Sequence, residues 1–389
     1  MNGLTSTEHR ALKAIAVQFF VNGAVVASYV PRLPGIRDRL GVDLSTVGLI
    51  IAVATGFGVV GSAIQVPVVE RIGTRSTMIF GALGLVVLLP LVAFSPTWWS
   101  LLLVLGALSI GDVVVDVSMN VQGSVLSARR NTPVMNRLHG MWSLGTVVGA
   151  IVASVMAALD VDLRVHLIGA AIVLAAALAY VAPGLLDEDG PIAASESPTR
   201  ANTRSVVAAF AVLGGAAILP EMINSDWAAF RLADDLGASA GLAAVAYVAF
   251  TAGMVTGRFL GDSAVTRFGS TTVLRRATVL AAVGTLIATT IPATAAVFVG
   301  LFVAGLGVSV MFPQLYDSAA QSAQSTSALG GLTAGSRIML LVAPLAVGWM
   351  ADTEALTVGA AIAIVTIPGA LLVWVLSARL LHAKTESVV

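Results

Sequence analysis

Gly184 to Arg204 reads GLLDEDGPIAASESPTRANTR, a mid-chain run that mixes Pro, Ser, Thr and charge. Such a composition buries too little apolar surface to offset the entropy of ordering it, so it reads as a solvated linker. The flanking sequence is its opposite. The 389 residues are 57% hydrophobic and 11% charged, against about 25% charged in a soluble domain. Apolar runs of the roughly 20 residues needed to cross about 30 Å of hydrocarbon recur on both sides. They fall near 11–31, 44–66, 74–94, 98–126, 134–159 and 164–183, then 205–230, 240–262, 272–291, 293–316, 328–350 and 355–379. The expected fold is an all-α membrane protein: an N-terminal six-helix bundle over 1–184, a cytoplasmic linker over 185–204 and a C-terminal six-helix bundle over 205–389.

Charge orients these spans. With the N-terminus in the cytoplasm, fourteen Lys and Arg fall on the inner side and five, Arg32, Arg37, Arg39, Arg164 and Arg231, on the outer side. The positive-inside bias therefore places both termini in the cytoplasm. Trp98 and Trp99 then lie at the outer edge of span four, where indoles favour the headgroup region. The first apolar run contains Gln18 and Asn22 and lacks a small-residue cleavage site, so it reads as a first span and not a signal peptide. Net charge is zero, 21 basic against 21 acidic residues, which offers no field for a nucleic-acid partner. With no cysteine, thiolate metal sites and cysteine nucleophiles are excluded. No phosphate-cradling loop, Ser-His pair or metal cluster is recognisable, so neither an enzyme nor a cofactor is expected.

Ser109 to Gly123, SIGDVVVDVSMNVQG, puts two carboxylates inside a bilayer-length span. At 100° per residue Ser109, Asp112, Asp116, Met119, Asn120 and Gly123 share one face, while Val114, Val117, Val121 and Val125 take the side suited to lipid. Ionisable groups in hydrocarbon cost several kcal/mol unless they face an interior, and they mark ion, proton or substrate pathways. Asp116 is the expected proton carrier, and Asp112 contacts substrate or shares the proton.

Other spans gather polar residues on one side. Span one carries Gln18, Asn22 and Tyr29, and span five carries Asn136, His139, Ser143 and Thr146 beside Trp142. In span seven Pro220 is expected to interrupt the helix next to Glu221 and Asn224, with Asp226 nearer the outer boundary. Span ten adds Gln314 and Asp317 at i, i+3. Of these, Gln18, Asn22, His139, Trp142, Glu221, Asn224, Gln314 and Asp317, together with Asn120 and Arg337, are the expected substrate-binding groups. Arg337, facing inward, either binds an anionic group or balances Asp317. Arg258 and Asp262, four apart near the inner end of span eight, form either a gate latch or a static pair.

The halves echo one another: Glu70-Arg71-Ile72-Gly73 after span two answers Thr266-Arg267-Phe268-Gly269 after span eight. Two similar six-span halves point to a duplicated transporter. With the linker and these basic Gly turns, the chain resembles the major facilitator superfamily over essentially its whole length. The family's loop motif matches Val66, Glu70, Arg71, Gly73 and Arg75 in degenerate form, and GRFLGDSAVTRFG from Gly257 more clearly; the resemblance implies a gating role for Glu70, Arg71, Arg258, Asp262 and Arg267. Span four resembles the branch that includes fucose:proton symporters, which carries an acid four residues before an Asn. The matching positions are Asp116 and Asn120, followed by NRLHGMWSLGTVVGA from Asn136; Asp112 departs from that pattern.

The function expected is a secondary active transporter, proton-coupled and alternating in access, that moves a small polar solute, a sugar or related metabolite, across a bacterial inner membrane as a monomer in lipid. Proton-antiport efflux of drugs or metabolites is the alternative, disfavoured because Gly145 to Gly149 reads GTVVG without the Gly-Pro of typical exporters. A non-transporting membrane sensor is the alternative of another class, disfavoured because no appended soluble domain is apparent.

Overall fold

The computed structural model describes residues 6–130, 134–187, 203–320, 325–353 and 355–386. Among these there is no β-strand, and thirteen α-helices follow one another: α1 (Ser6–Tyr29), α2 (Leu33–Leu40), α3 (Leu44–Leu88), α4 (Leu91–Phe94), α5 (Trp98–Arg130), α6 (Met135–Ala158), α7 (Leu163–Val181), α8 (Thr203–Phe230), α9 (Ala240–Phe268), α10 (Ser270–Thr290), α11 (Thr294–Ala320), α12 (Ser325–Ala351) and α13 (Val358–Glu386). The proposed linker lies almost wholly outside the described residues.

Among the described residues eleven stretches are long and apolar enough to cross a bilayer, one of them the 51 residues Leu44–Phe94. Its main helix, α3, has 45 residues and would be about 68 Å long if straight, at 1.5 Å per residue. Gly73, with φ 80° and ψ 159°, breaks it. The contacts with α5 show the reversal: Phe57 meets Gly106 and Gly61 meets Ile110, so the first arm runs parallel to α5, whereas Gly81 meets Val115 and Leu85 meets Gly111, so the second runs antiparallel. Two passes result, and the total among the described residues is twelve.

The chain folds as two compact units. The first comprises Met1–Val42 and Val53–Ala194, the second Asp43–Ala52 and Ser195–Val389. The start of α3 thus departs from a strict division by sequence halves, for a physical reason. The Asp352 carboxylate accepts from the Leu44 and Ser45 backbone N–H groups at 2.8 and 2.7 Å, and Gly48 and Gly348 let α3 and α12 meet backbone to backbone. Asp43, outside the spans, accepts from the Thr46 N–H at 2.7 Å; hydrogen bonds from Thr46 hold its carboxyl below the usual range.

Each unit repeats the same construction. In the first, α1 runs beside α6 with Phe20 against Gly145 and Ala24 against Gly149; in the second, α8 runs beside α12 with Val207 against Gly331 and Ala211 against Gly335. Small residues permit this close parallel packing. In the second unit α9 lies parallel to α11 and α10 antiparallel to it, through the pairs Gly253–Phe302, Gly261–Val310 and Gly284–Ala304, as the two arms of α3 do around α5. Gly269 joins α9 to α10 with φ 79° and ψ 150°, nearly the angles of Gly73, so the sequence echo is an echo of backbone conformation.

That conformation is essentially reserved for glycine. A Cβ on Gly269 would meet no atom within 4 Å, so Gly269→Ala isolates the backbone cost, expected to be about 1–3 kcal/mol. Thermal unfolding in detergent should place this variant below the wild type, while Gly35→Ala, inside α2 and equally uncrowded, should leave the midpoint within error.

The outside of the bundle is apolar, as lipid requires: Phe80 is 67% exposed and Phe259 73%. The valine face of α5 is different. Val114 and Val121 are buried, and no residue of α5 from Val104 to Gly123 is exposed, so this face packs inside the first unit and does not meet lipid. Both arms of α3 cover α5, which leaves it interior along its middle turns.

Outside the expected site, Arg231 and Asp235 form a buried ion pair at 2.8 Å. The pair lies in a π-helical turn after α8. Asp235 also accepts from the Val358 and Gly359 N–H groups at 3.0 and 2.8 Å, capping α13. Arg231, counted by sequence among outer loop charges, is therefore a structural clasp.

Candidate functional site

In the first unit the polar residues converge from three helices. Asn22, on α1, donates from Nδ2 to Asp112 Oδ1 on α5 at 2.9 Å. Its Oδ1 accepts from Trp142 Nε1, on α6, at 3.1 Å. One buried amide thus orients both a carboxylate and an indole, using its donor toward the anion and its acceptor toward the only donor an indole has. The close approach of α1 and α6 brings these groups into reach.

Asp116 lies one helical turn beyond Asp112 on the same face, about 6 Å further along the axis. Both are half-buried. The Asn120 side chain donates at 2.8 Å to the backbone carbonyl of Asp116, back along its own helix.

Gln18 is turned elsewhere. It is buried and donates to the Met78 carbonyl at 3.0 Å, tying α1 to the second arm of α3. His139 is exposed and meets Phe19 edge-to-face at 5.3 Å. Ser143 and Thr146 donate to carbonyls one turn back, those of His139 and Trp142. The side chain of Asn136 lies outside the described residues.

In the second unit α8 passes through Pro220 as one helix, Thr203–Phe230; the expected interruption does not occur. A proline removes a single helix hydrogen bond, and the flanking turns hold. Asn224 donates to the Pro220 carbonyl at 2.7 Å and to Thr285 Oγ1 at 3.0 Å. Glu221 pairs across helices with Arg258 of α9 at 3.7 Å. The side chain of Asp262, the partner expected for Arg258, lies outside the described residues. Asp226 is half-buried, four residues before the end of α8 at Phe230, and accepts from Ser225 Oγ at 3.3 Å.

The remaining expectations scatter. Gln314 accepts from Ser270 Oγ at 2.5 Å, which ties α11 to the first residue of α10 at the end of the span. Asp317 and Arg337 are exposed, as are Glu70, Arg71 and Arg267; Arg267 lies over the Phe268 ring at 5.3 Å.

Gln122, two residues past Asn120, escaped the sequence reading. Fully buried, it donates to Thr74 Oγ1 and the Leu186 carbonyl at 3.2 and 2.9 Å and accepts from the Leu186 N–H at 3.1 Å. Arg75 adds an ion pair to Asp187. The helix bearing both carboxylates is thereby fastened to the chain that leaves the first unit. An uncharged amide inside the quoted span was the available signal.

Comparison with known proteins adds the following. Residues 15–230 match the profile of the Major Facilitator Superfamily. An uncharacterized MFS-type transporter of Yersinia pestis is 25% identical over 346 residues, covering 87% of this chain and 88% of that protein. The uncharacterized transporter y4wD of Sinorhizobium fredii is 26% identical over 348 residues, covering 87% and 91%. Among solved structures, the nucleoside transporter NupG aligns with a TM-score of 0.69 at 14% identity over 97% of this chain and 99% of its own. A point variant of the E. coli fucose:proton symporter FucP aligns at 0.56 with 15% identity, covering 95% and 98%. At these identities the structural likeness speaks for the fold alone.

Proposed function

The chain belongs to the major facilitator superfamily, and on that premise we propose that this multi-pass transporter carries a small polar solute by proton-coupled symport, through alternating access. The supporting observation is the Trp142–Asn22–Asp112 chain of hydrogen bonds with Asp116 one turn away. It offers a solute an indole face, an amide and a carboxylate at one level, and a second carboxylate for the proton.

The division of labour follows from their partners. Asp112, held by Asn22, is positioned to accept hydrogen bonds from a hydroxylated solute. Asp116 binds the proton on a carboxylate oxygen. Protonation removes the charge that resists enclosure in a low-dielectric site. Opening to the other side rehydrates the carboxylate, which then releases the proton. A sugar or related metabolite would be such a hydroxylated solute. The place of action we propose is a bacterial inner membrane, with both termini cytoplasmic and the chain working as a monomer.

The test is a thermal-shift screen of sugars, nucleosides and related metabolites in detergent, followed by flux of the best ligand in proteoliposomes. Accumulation above equilibrium is expected when the outside is more acidic than the lumen. Flux indifferent to the gradient would remove the coupling, and a ligand that stabilises the protein without crossing sealed vesicles would favour the sensor reading.

A further inference from the structure

A groove at the start of α10 is built from two neighbouring files of side chains. Thr271, Arg275 and Val279 follow one another at i, i+4, and Thr272, Arg276 and Leu280 form the adjacent row. With Trp374 of α13 they line a cavity of about 710 Å³. The files grade from hydroxyl at the helix mouth, through cation one turn in, to exposed Val279 and Leu280 two turns in. No acid is among the lining residues.

The two guanidinium groups are held by aromatic faces. Arg275 lies over the Trp374 ring at 4.6 Å and Arg276 over Phe268 at 5.2 Å. Stacking of this kind uses the planar face and leaves the edge N–H donors to point at an anion. Gly269, the N-cap of α10, has no side chain to satisfy the first-turn N–H groups, so the positive end of the helix adds to the same field.

We propose that this groove binds an anionic phospholipid, its phosphate among Arg275, Arg276 and the Thr271 and Thr272 hydroxyls and its acyl chains along Val279 and Leu280. Free phosphate would satisfy the polar end alone. The apolar continuation, exposed Val279 and Leu280, fits the tails of a lipid and nothing in an inorganic anion. An interfacial tryptophan beside basic side chains suits the headgroup layer. The site is separate from the carboxylates of the first unit, so its test is independent of transport.

Native mass spectrometry of the detergent-purified chain, titrated with phosphatidylglycerol or phosphatidylethanolamine, measures the preference directly. The wild type should retain phosphatidylglycerol over phosphatidylethanolamine, and millimolar inorganic phosphate should not displace it. The double variant Arg275→Gln, Arg276→Gln should lose roughly thirtyfold in phosphatidylglycerol affinity, the effect of two surface charges, with phosphatidylethanolamine unchanged. Equal retention of both lipids by the wild type overturns the proposal, whatever the fate of the variant. Displacement by inorganic phosphate overturns it in favour of a free-anion site, and a double variant that keeps its phosphatidylglycerol overturns the assigned residues.

Discussion

Replacing Asp116 by Asn is expected to abolish solute accumulation driven by a pH gradient while leaving counterflow exchange intact. A one-unit gradient is worth about 1.36 kcal/mol per proton, so one proton per solute sustains roughly tenfold accumulation in the wild type, and the variant should settle at equal concentrations inside and out. Exchange survives because asparagine mimics the protonated carboxylate in size and charge, and the loaded carrier can still alternate. Asp112→Asn is a different lesion. The new amide oxygen can still accept from Asn22 Nδ2, so the link to Trp142 persists, and the expected change is weaker solute binding with coupling retained. If Asp116→Asn accumulates solute normally and Asp112→Asn does not, the roles of the two carboxylates are reversed.

The largest expected loss of stability lies in the second unit, at Asp235. Its side chain is 8% exposed and that of Arg231 7%. Asp235→Ala strands the Arg231 charge and uncaps two N–H groups of α13 in one step. Breaking a buried pair by removing one partner costs about 3–5 kcal/mol, enough to threaten most of the stability of a typical fold. Tryptophan-fluorescence melting should show a much lowered midpoint for Asp235→Ala and a smaller drop for Asp235→Asn, which keeps an acceptor for the cap. Asp38→Ala is the control: it removes the Arg37–Asp38 pair, whose acid is 65% exposed, and should cost under about 1 kcal/mol. Equal midpoints for Asp235→Ala and Asp38→Ala would mean the buried clasp contributes nothing beyond a surface pair.

The topology was legible because crossing a bilayer constrains length and polarity so tightly. Runs of about 20 apolar residues marked the spans, and the echo of the two basic turns fell where Gly73 and Gly269 share nearly the same backbone angles. The lateral arrangement was not legible. Valines facing lipid and valines facing a neighbouring helix are chemically alike, since lipid tails are as apolar as a packed core; hence Val114 and Val121 seemed exposed and are buried. The candidate site was half legible for a related reason. Helical periodicity put Gln18 and Asn22 on one face and Asp112 on another, but the partner of each depends on contacts many residues away. Asn22 meets Asp112, and Gln18 meets a backbone carbonyl. Charge counting placed Arg231 by side, yet could not see that Asp235 would bury it. Asp352 was silent for the same reason, its partners at Leu44 and Ser45 lying some 300 residues away.

The central claim is that solute and proton move together through the site containing Asp112 and Asp116, and the direct measurement is of the proton. Proteoliposomes in weakly buffered medium, with no imposed gradient, receive the solute identified by the ligand screen while external pH is recorded. The wild type should alkalinise the medium on solute addition, in step with uptake, and Asp116→Asn should give no pH change. Solute entry by the wild type without any alkalinisation would contradict the account.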